Sequence, residues 1–134
     1  INCYKKALGI DTKDARAYYY LGLSLSRVGK YNDAIKNFDN ALINSPKCTK
    51  AFYEKGRALA NLSMYQEAIG AFDRALGENG TSSDSWLYKG ISEENLGRYD
   101  RALDCFDHAI SLEATNAMPH LHRGAVLIQL NRYN

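Results

Sequence analysis

Gly22, Gly56, Gly90 and Gly124 stand at equal steps of 34 residues. One period held across a chain of 134 residues marks a repeat architecture. In such a chain one small unit recurs, and each unit buries its apolar face only by stacking on its neighbours. The period therefore fixes the register in which every other residue is read.

Composition adds bounds rather than a function. Hydrophobic residues make up 46% and charged residues 24%, which are globular values. The net charge of +2 is too small and too dispersed for a nucleic-acid footprint. No apolar run approaches the roughly 18 residues of a membrane span, and no signal-peptide pattern is present. Cys3, Cys48 and Cys105 make an odd count without a CxxC pair. That is not a disulfide framework, and a reducing, cytoplasmic compartment is expected. A start at Ile1 instead of Met suggests a piece of a longer protein.

Within each period the apolar spacing is helical. Ile1, Tyr4, Ala7 and Leu8 form one stripe, and Asp14 is placed to cap the next helix, expected from about Arg16 to Val28. Gly29 suits a left-handed C-cap. A second helix begins near Asn32, with the stripe Ala34, Ile35, Phe38, Ala41 and Leu42, and stops before Ser45-Pro46. The next pair has Thr49 as N-cap, an end near Leu62, Ser63 in place of the cap glycine, and the stripe Ala68, Ile69, Phe72, Ala75 and Leu76. The polar linker from Gly77 to Ser83 follows. Ser83 and Asp100 are placed to cap the third pair, whose second stripe is Ala102, Leu103, Phe106, Ala109 and Ile110. A last helix is expected to begin around Pro119, with Asn131 in the cap-glycine position and Tyr133 opening a further helix.

With these residues in register, the chain resembles the tetratricopeptide repeat, whose pattern is an aromatic, two residues, Leu-Gly, then Ala-x3-Phe and a final Pro. Here it reads Tyr18-x2-Leu21-Gly22 with Ala34-x3-Phe38 and Pro46. It continues as Phe52-x2-Lys55-Gly56 with Ala68-x3-Phe72, and as Trp86-x2-Lys89-Gly90 with Ala102-x3-Phe106. It ends at His120-x2-Arg123-Gly124, with Tyr31, Tyr65, Tyr99 and Tyr133 marking the turns. The Pro position departs at Gly80 and Ala114. The resemblance implies an all-α, right-handed α-solenoid of antiparallel helix pairs. Residues 1–14 would be the second helix of a preceding repeat, 15–48, 49–82 and 83–116 complete repeats, and 117–134 the first helix of a truncated one.

Physical chemistry supports the same layout. A mid-helix glycine costs about 1 kcal/mol relative to alanine, so keeping one per unit needs a packing reason. Close approach of two helix backbones is the expected reason, with Ala34, Ala68 and Ala102 small for it and the phenylalanines filling the space alongside. Lys55, Lys89 and Arg123 replace the family's Leu, and their stems can pack while their heads reach water. Glu93 lies four residues after Lys89, so a local ion pair is expected. His120, in the tryptophan position, should leave the last unit less well packed.

The resemblance also implies that first helices line a concave groove and second helices form the convex back. By helical facing, the first unit offers Arg16, Tyr19, Tyr20, Leu23, Ser26 and Arg27 to the groove. The second offers Lys50, Tyr53, Glu54, Arg57, Ala60 and Asn61. The third offers Asp84, Leu87, Tyr88, Ile91, Glu94 and Asn95, and the last Met118, Leu121, His122, Ala125, Ile128 and Gln129. The groove thus starts basic and aromatic, turns mixed to acidic, and ends apolar. Tyr19, Tyr20, Tyr53 and Tyr88 are the expected contact surface, because tyrosine gives large area at low entropic cost. Chaperone-binding relatives hold a C-terminal carboxylate with Lys and Asn; the matching positions here are Tyr19, Leu23 and Glu54, so that clamp is not expected.

No catalytic or metal-binding pattern stands out. His120 and His122 are two apart on one helix and face different sides, where a metal pair needs i, i+4. His108 is alone on another helix, and Cys3 and Cys105 occupy equivalent positions three periods apart. There is no nucleophile elbow, P-loop or HExxH, and Glu93, Glu94 and Asp100 have no pocket to work in. The expected function is a non-catalytic protein-interaction scaffold with no cofactor, binding a protein or peptide segment in the groove and neither nucleic acid nor membrane. Two alternatives are end-to-end self-association through Leu127 and Leu130 at the terminal helix, and a regulatory array attached to an enzyme elsewhere in a longer chain.

Overall fold

A computed structural model describes residues 12–133, with side chains from Ala15 to Asn131. The stripe at Ile1–Leu8 and Cys3 lie outside the described residues. Seven helices follow one another among the described residues: α1 (Thr12–Arg27), α2 (Tyr31–Asn44), α3 (Thr49–Asn61), α4 (Tyr65–Glu78), α5 (Ser83–Asn95), α6 (Tyr99–Leu112) and α7 (Ala117–Tyr133). Each packs chiefly against the helices before and after it, and α1, α3, α5 and α7 also touch one another in succession. This is an all-α repeat solenoid of helix pairs.

The core is divided by repeat. Phe38, Phe72 and Phe106 are fully buried, each in its own cluster. Alanines at 34, 68 and 102 have no exposed surface. A Cβ built on Gly22, Gly56 or Gly90 would lie 2.6 Å from Cε1 of Phe38, Phe72 or Phe106 respectively. The neighbour that excludes a side chain is thus a phenylalanine ring, not the second helix backbone anticipated from sequence. Around Gly124 nothing lies within 4 Å, since no described helix follows α7 to supply the ring.

The reversal between the helices of a pair is the same three times. Lys30 N–H donates to Leu25 O and Gly29 N–H to Ser26 O; Met64 and Ser63 donate to Leu59 and Ala60, and Arg98 and Gly97 to Glu93 and Glu94. These are paired 6→1 and 5→2 bonds closing a helix through a left-handed residue. Gly29 and Gly97 have φ of 84° and 77°, and Ser63 carries the same bend at 62°.

Several boundary expectations move. Asp14 lies inside α1, which begins at Thr12. Cys48 precedes α3 without a side-chain cap, so Thr49 is its first residue and not its N-cap. Ser82 caps α5, accepting from Ser85 N–H, in place of Ser83. Arg98 precedes α6, and Asp100 falls in the first turn. The last helix starts at Ala117, two residues before Pro119, and runs through Asn131 to Tyr133 without the expected stop. Cys48 is disulfide-bonded, which removes the support for a fully reduced set of cysteines; an odd count still leaves room for one bond. Cys105 is the free cysteine among the described residues, and it is buried.

Ion pairs stitch successive repeats. Lys55 Nζ reaches Asp39 at 2.7 Å, Lys89 Nζ reaches Asp73 at 2.7 Å, and Arg123 Nε reaches Asp107 at 2.8 Å. Lys89 therefore does not pair with Glu93, because the aspartate on the preceding helix is nearer in space than sequence distance suggests. Glu93 is 3% exposed and pairs with Arg98 at 3.2 Å. His120 keeps one function of the tryptophan it replaces. Trp86 Nε1 donates to Gly80 O six residues back, and His120 Nε2 contacts Ala114 O at 3.0 Å in the same geometry.

Candidate functional site

The face formed by α1, α3, α5 and α7 is organised around Phe72. Tyr53 from α3 lies against Phe72 at 6.1 Å between centroids, and Tyr88 from α5 stacks on it at 6.4 Å. The two tyrosines meet edge to face at 5.9 Å. Arg57, one turn after Tyr53, holds its guanidinium 5.8 Å from the Tyr53 ring and 5.0 Å from that of Tyr88. Such cation–π contacts orient the guanidinium while its rim stays wet. It also donates to Glu54 Oε1 at 3.5 Å.

Burial sets the electrostatics here. It raises the Glu54 carboxyl above the usual range, opposed by Arg57, Arg27 and Lys50. Burial likewise pushes the Tyr53 hydroxyl up, with Arg57 opposing and Asp84, Tyr88 and Glu54 adding. For Arg57 burial pulls down, but Tyr53, Tyr88 and Glu54 outweigh it and hold the cation firmly charged.

Beside this cluster a hollow of about 310 Å³ opens between α1 and α3. Leu23, Ser26 and Arg27 form one wall, Glu54, Arg57, Ala58 and Asn61 the other, and Tyr31 closes one end. Asn61 spends one amide hydrogen on Arg57 O at 3.0 Å. Further along, His122 of α7 bridges to Glu94 of α5 at 3.1 Å and stacks on Phe106 at 5.5 Å. Beyond it Met118, Leu121 and Ile128 are exposed.

Several of the residues expected on this face are brought together by the structure. Glu54, Arg57, Tyr53 and Tyr88 meet, while Leu23, Arg27 and Asn61 share the hollow with Glu54 and Arg57. Arg16, Lys50, Asp84 and Asn95 are exposed, and Ile91 is half-buried against the third core cluster. Two expectations fail. Tyr19 is 7% exposed and Leu87 is 3% exposed. Tyr19 packs on Phe38 at 6.0 Å, leaving Tyr20 as the outward ring of that pair, edge-on to it at 5.6 Å. Leu87 joins Phe106 and Val126 in the core. Tyr31 was legible only as a turn marker. Its periodic place after Gly29-Lys30 returns the ring to the mouth of the hollow, a placement set by the reversal and not by helical facing.

Two family models, both of the tetratricopeptide repeat, match residues 19–84 and 83–116. The chain belongs to the tetratricopeptide repeat family. No curated protein matches it. Among solved structures it is similar to the first TPR of Spaghetti (RPAP3) bound to the HSP90 peptide SRMEEVD, with TM-score 0.87, 17% identity, and 92% of this chain against 98% of that one. It is also similar to the second TPR domain of human RPAP3 in complex with the HSP70 peptide SGPTIEEVD, with TM-score 0.82, 19% identity, and coverage of 85% and 95%. MamA gives TM-score 0.86, 24% identity, and coverage of 96% and 75%.

Proposed function

We propose that this chain is a protein-interaction module that receives a partner segment along the face of α1, α3 and α5. The single observation behind this reading is the Tyr53–Arg57–Tyr88 cluster, an oriented cation on two rings at the rim of a hollow. Aromatic and arginine side chains of this kind dominate the energetics of binding surfaces. Two structural relatives hold peptides, which supports the same use of this fold. The matching clamp positions differ here: Glu54 is acidic, Leu23 is apolar and Tyr19 is in the core. We therefore assign this chain no terminal-carboxylate clamp at those three positions.

The test is selection of peptides from a random displayed library on the chain. Selected peptides should lose most of their affinity for a variant carrying Tyr20→Ala, Arg57→Ala and Asn61→Ala. They should bind normally to one carrying Lys36→Ala and Arg101→Ala on the second helices. Equal loss, or loss only in the second variant, contradicts the assignment.

A second reading, association between copies, is favoured by α7: Leu127 is 37% exposed although Leu130 packs on the Phe106 cluster, and Leu121 and Ile128, assigned above to the groove, are 67% and 59% exposed. Uncovered apolar faces of this kind tend to pair. Sedimentation that shows self-association abolished by Leu121→Glu supports it, and a monomer at all concentrations sinks it.

A further inference from the structure

The α1–α3 end of the face carries an excess of positive charge. Arg27, Lys50 and Arg57 all act on the single carboxyl of Glu54. Among the described residues Arg27 and Lys50 enter no ion pair, and the bond from Arg57 to Glu54 is long at 3.5 Å. The side chain of Arg57 stays 45% exposed while that of Glu54 is 17% exposed. The acid is sunk and the cation is presented.

We infer that this end of the face recognises an acidic stretch within the partner segment. A side-chain carboxylate meets Arg57 and Arg27 at the hollow, and a second meets Lys50. The inference rests on the groove reading above. Arg57 is already oriented by two rings, so a carboxylate can engage it with little further ordering. Lys50 and Arg57 are seven residues apart on α3, about 10 Å along the helix. One terminal carboxylate would satisfy one of them, whereas successive acidic side chains satisfy both. Asp84 and Glu94 stand on the next helix, and Glu94 already holds His122 at 3.1 Å. Those carboxylates repel a long polyanion, which favours a short acidic stretch over a nucleic acid.

Fluorescence anisotropy with labelled short peptides tests this. The panel is a Leu-Glu-rich acidic peptide with a free C-terminus, the same peptide amidated, its Gln isostere, a Lys counterpart and a single-stranded oligonucleotide. The acidic peptide should bind roughly tenfold more tightly than its Gln isostere, the scale of one charge-assisted hydrogen bond. High salt should erase that margin. Amidation should leave it intact, Arg57→Gln with Arg27→Gln should abolish it, and Arg57→Lys should retain part of it. Circular dichroism establishes that each variant is folded, and Lys50→Gln alone, on an exposed first-turn residue, gives a second reading of the same margin. Equal binding of the Gln isostere overturns the acidic assignment and leaves the groove reading standing. Loss on amidation overturns the side-chain source, and a preference for the oligonucleotide overturns the peptide. Failure of every peptide to bind overturns the acidic assignment, while the groove reading stands or falls on the library selection above.

Discussion

At the residue scale, the repeated glycine is explained by one atom pair. Gly56→Ala places a methyl group 2.6 Å from the Phe72 ring, which is fully buried and cannot swing away. Overpacking of this kind costs about 1–3 kcal/mol, against about 1 kcal/mol gained in helix propensity. Gly56→Ala should therefore lower the urea midpoint, while Gly124→Ala, with open space around it, should raise or preserve it. Equal effects would contradict the account. Ser63 is the complementary case, a left-handed residue with a side chain. Ser63→Gly should stabilise by about 1 kcal/mol. A destabilising result in chemical denaturation would show that the serine side chain contributes something this geometry does not reveal. Tyr19 gives a pH prediction. Burial, then Glu54 and Tyr20, push its hydroxyl up from 10.0 to about 12. A raised folded value means its stabilisation is complete below pH 10 and is lost as pH rises toward 12, by up to about 1.4 kcal/mol per pH unit. Tyr19→Phe should flatten that slope in urea midpoints, and an unchanged slope would contradict the burial.

At the element scale, the sequence was legible wherever the signal repeated. The apolar stripes of α2, α4 and α6 lie inward, and the reversal at Gly29, Ser63 and Gly97 falls where the period puts it. What failed was local chemistry read one helix at a time. Ser83 and Asp100 fit as caps in sequence, yet Ser82 caps α5 through its own hydroxyl, and Arg98 precedes α6 because its 6→1 bond to Glu93 O fixes that turn. Sequence spacing pairs Lys89 with Glu93, but its partner is Asp73 on the neighbouring helix. The hint lay in the aspartates at 39, 73 and 107, which keep the same period as Lys55, Lys89 and Arg123. The aspartates are exposed and their cations partly so, and each pair should contribute only about 0.2–1 kcal/mol. A double-mutant cycle on Asp73 and Lys89 should give a coupling in that range which shrinks in high salt. Coupling that ignores salt would mean the pair acts through the Lys89 ammonium held over the Trp86 ring, 5.4 Å from its centroid.

At the scale of the whole molecule, stacking lays the first helices side by side and so builds one continuous face from residues far apart in sequence. Tyr53 and Tyr88, on the first helices of adjacent repeats, come within 5.9 Å only because those repeats stack, and Arg57 then finds both rings. Helical facing indicated which residues point that way. It did not separate rings that stop in the core, as Tyr19 does on Phe38, from those that reach the surface, because both follow the same period. The most direct test of the account is an amide chemical-shift map of the chain titrated with a library-selected peptide. The account predicts that the largest shifts fall on Arg27, Arg57, Asn61 and Tyr88, with α2, α4 and α6 little affected. Shifts centred on those second helices, or on the exposed face of α7 alone, would contradict it.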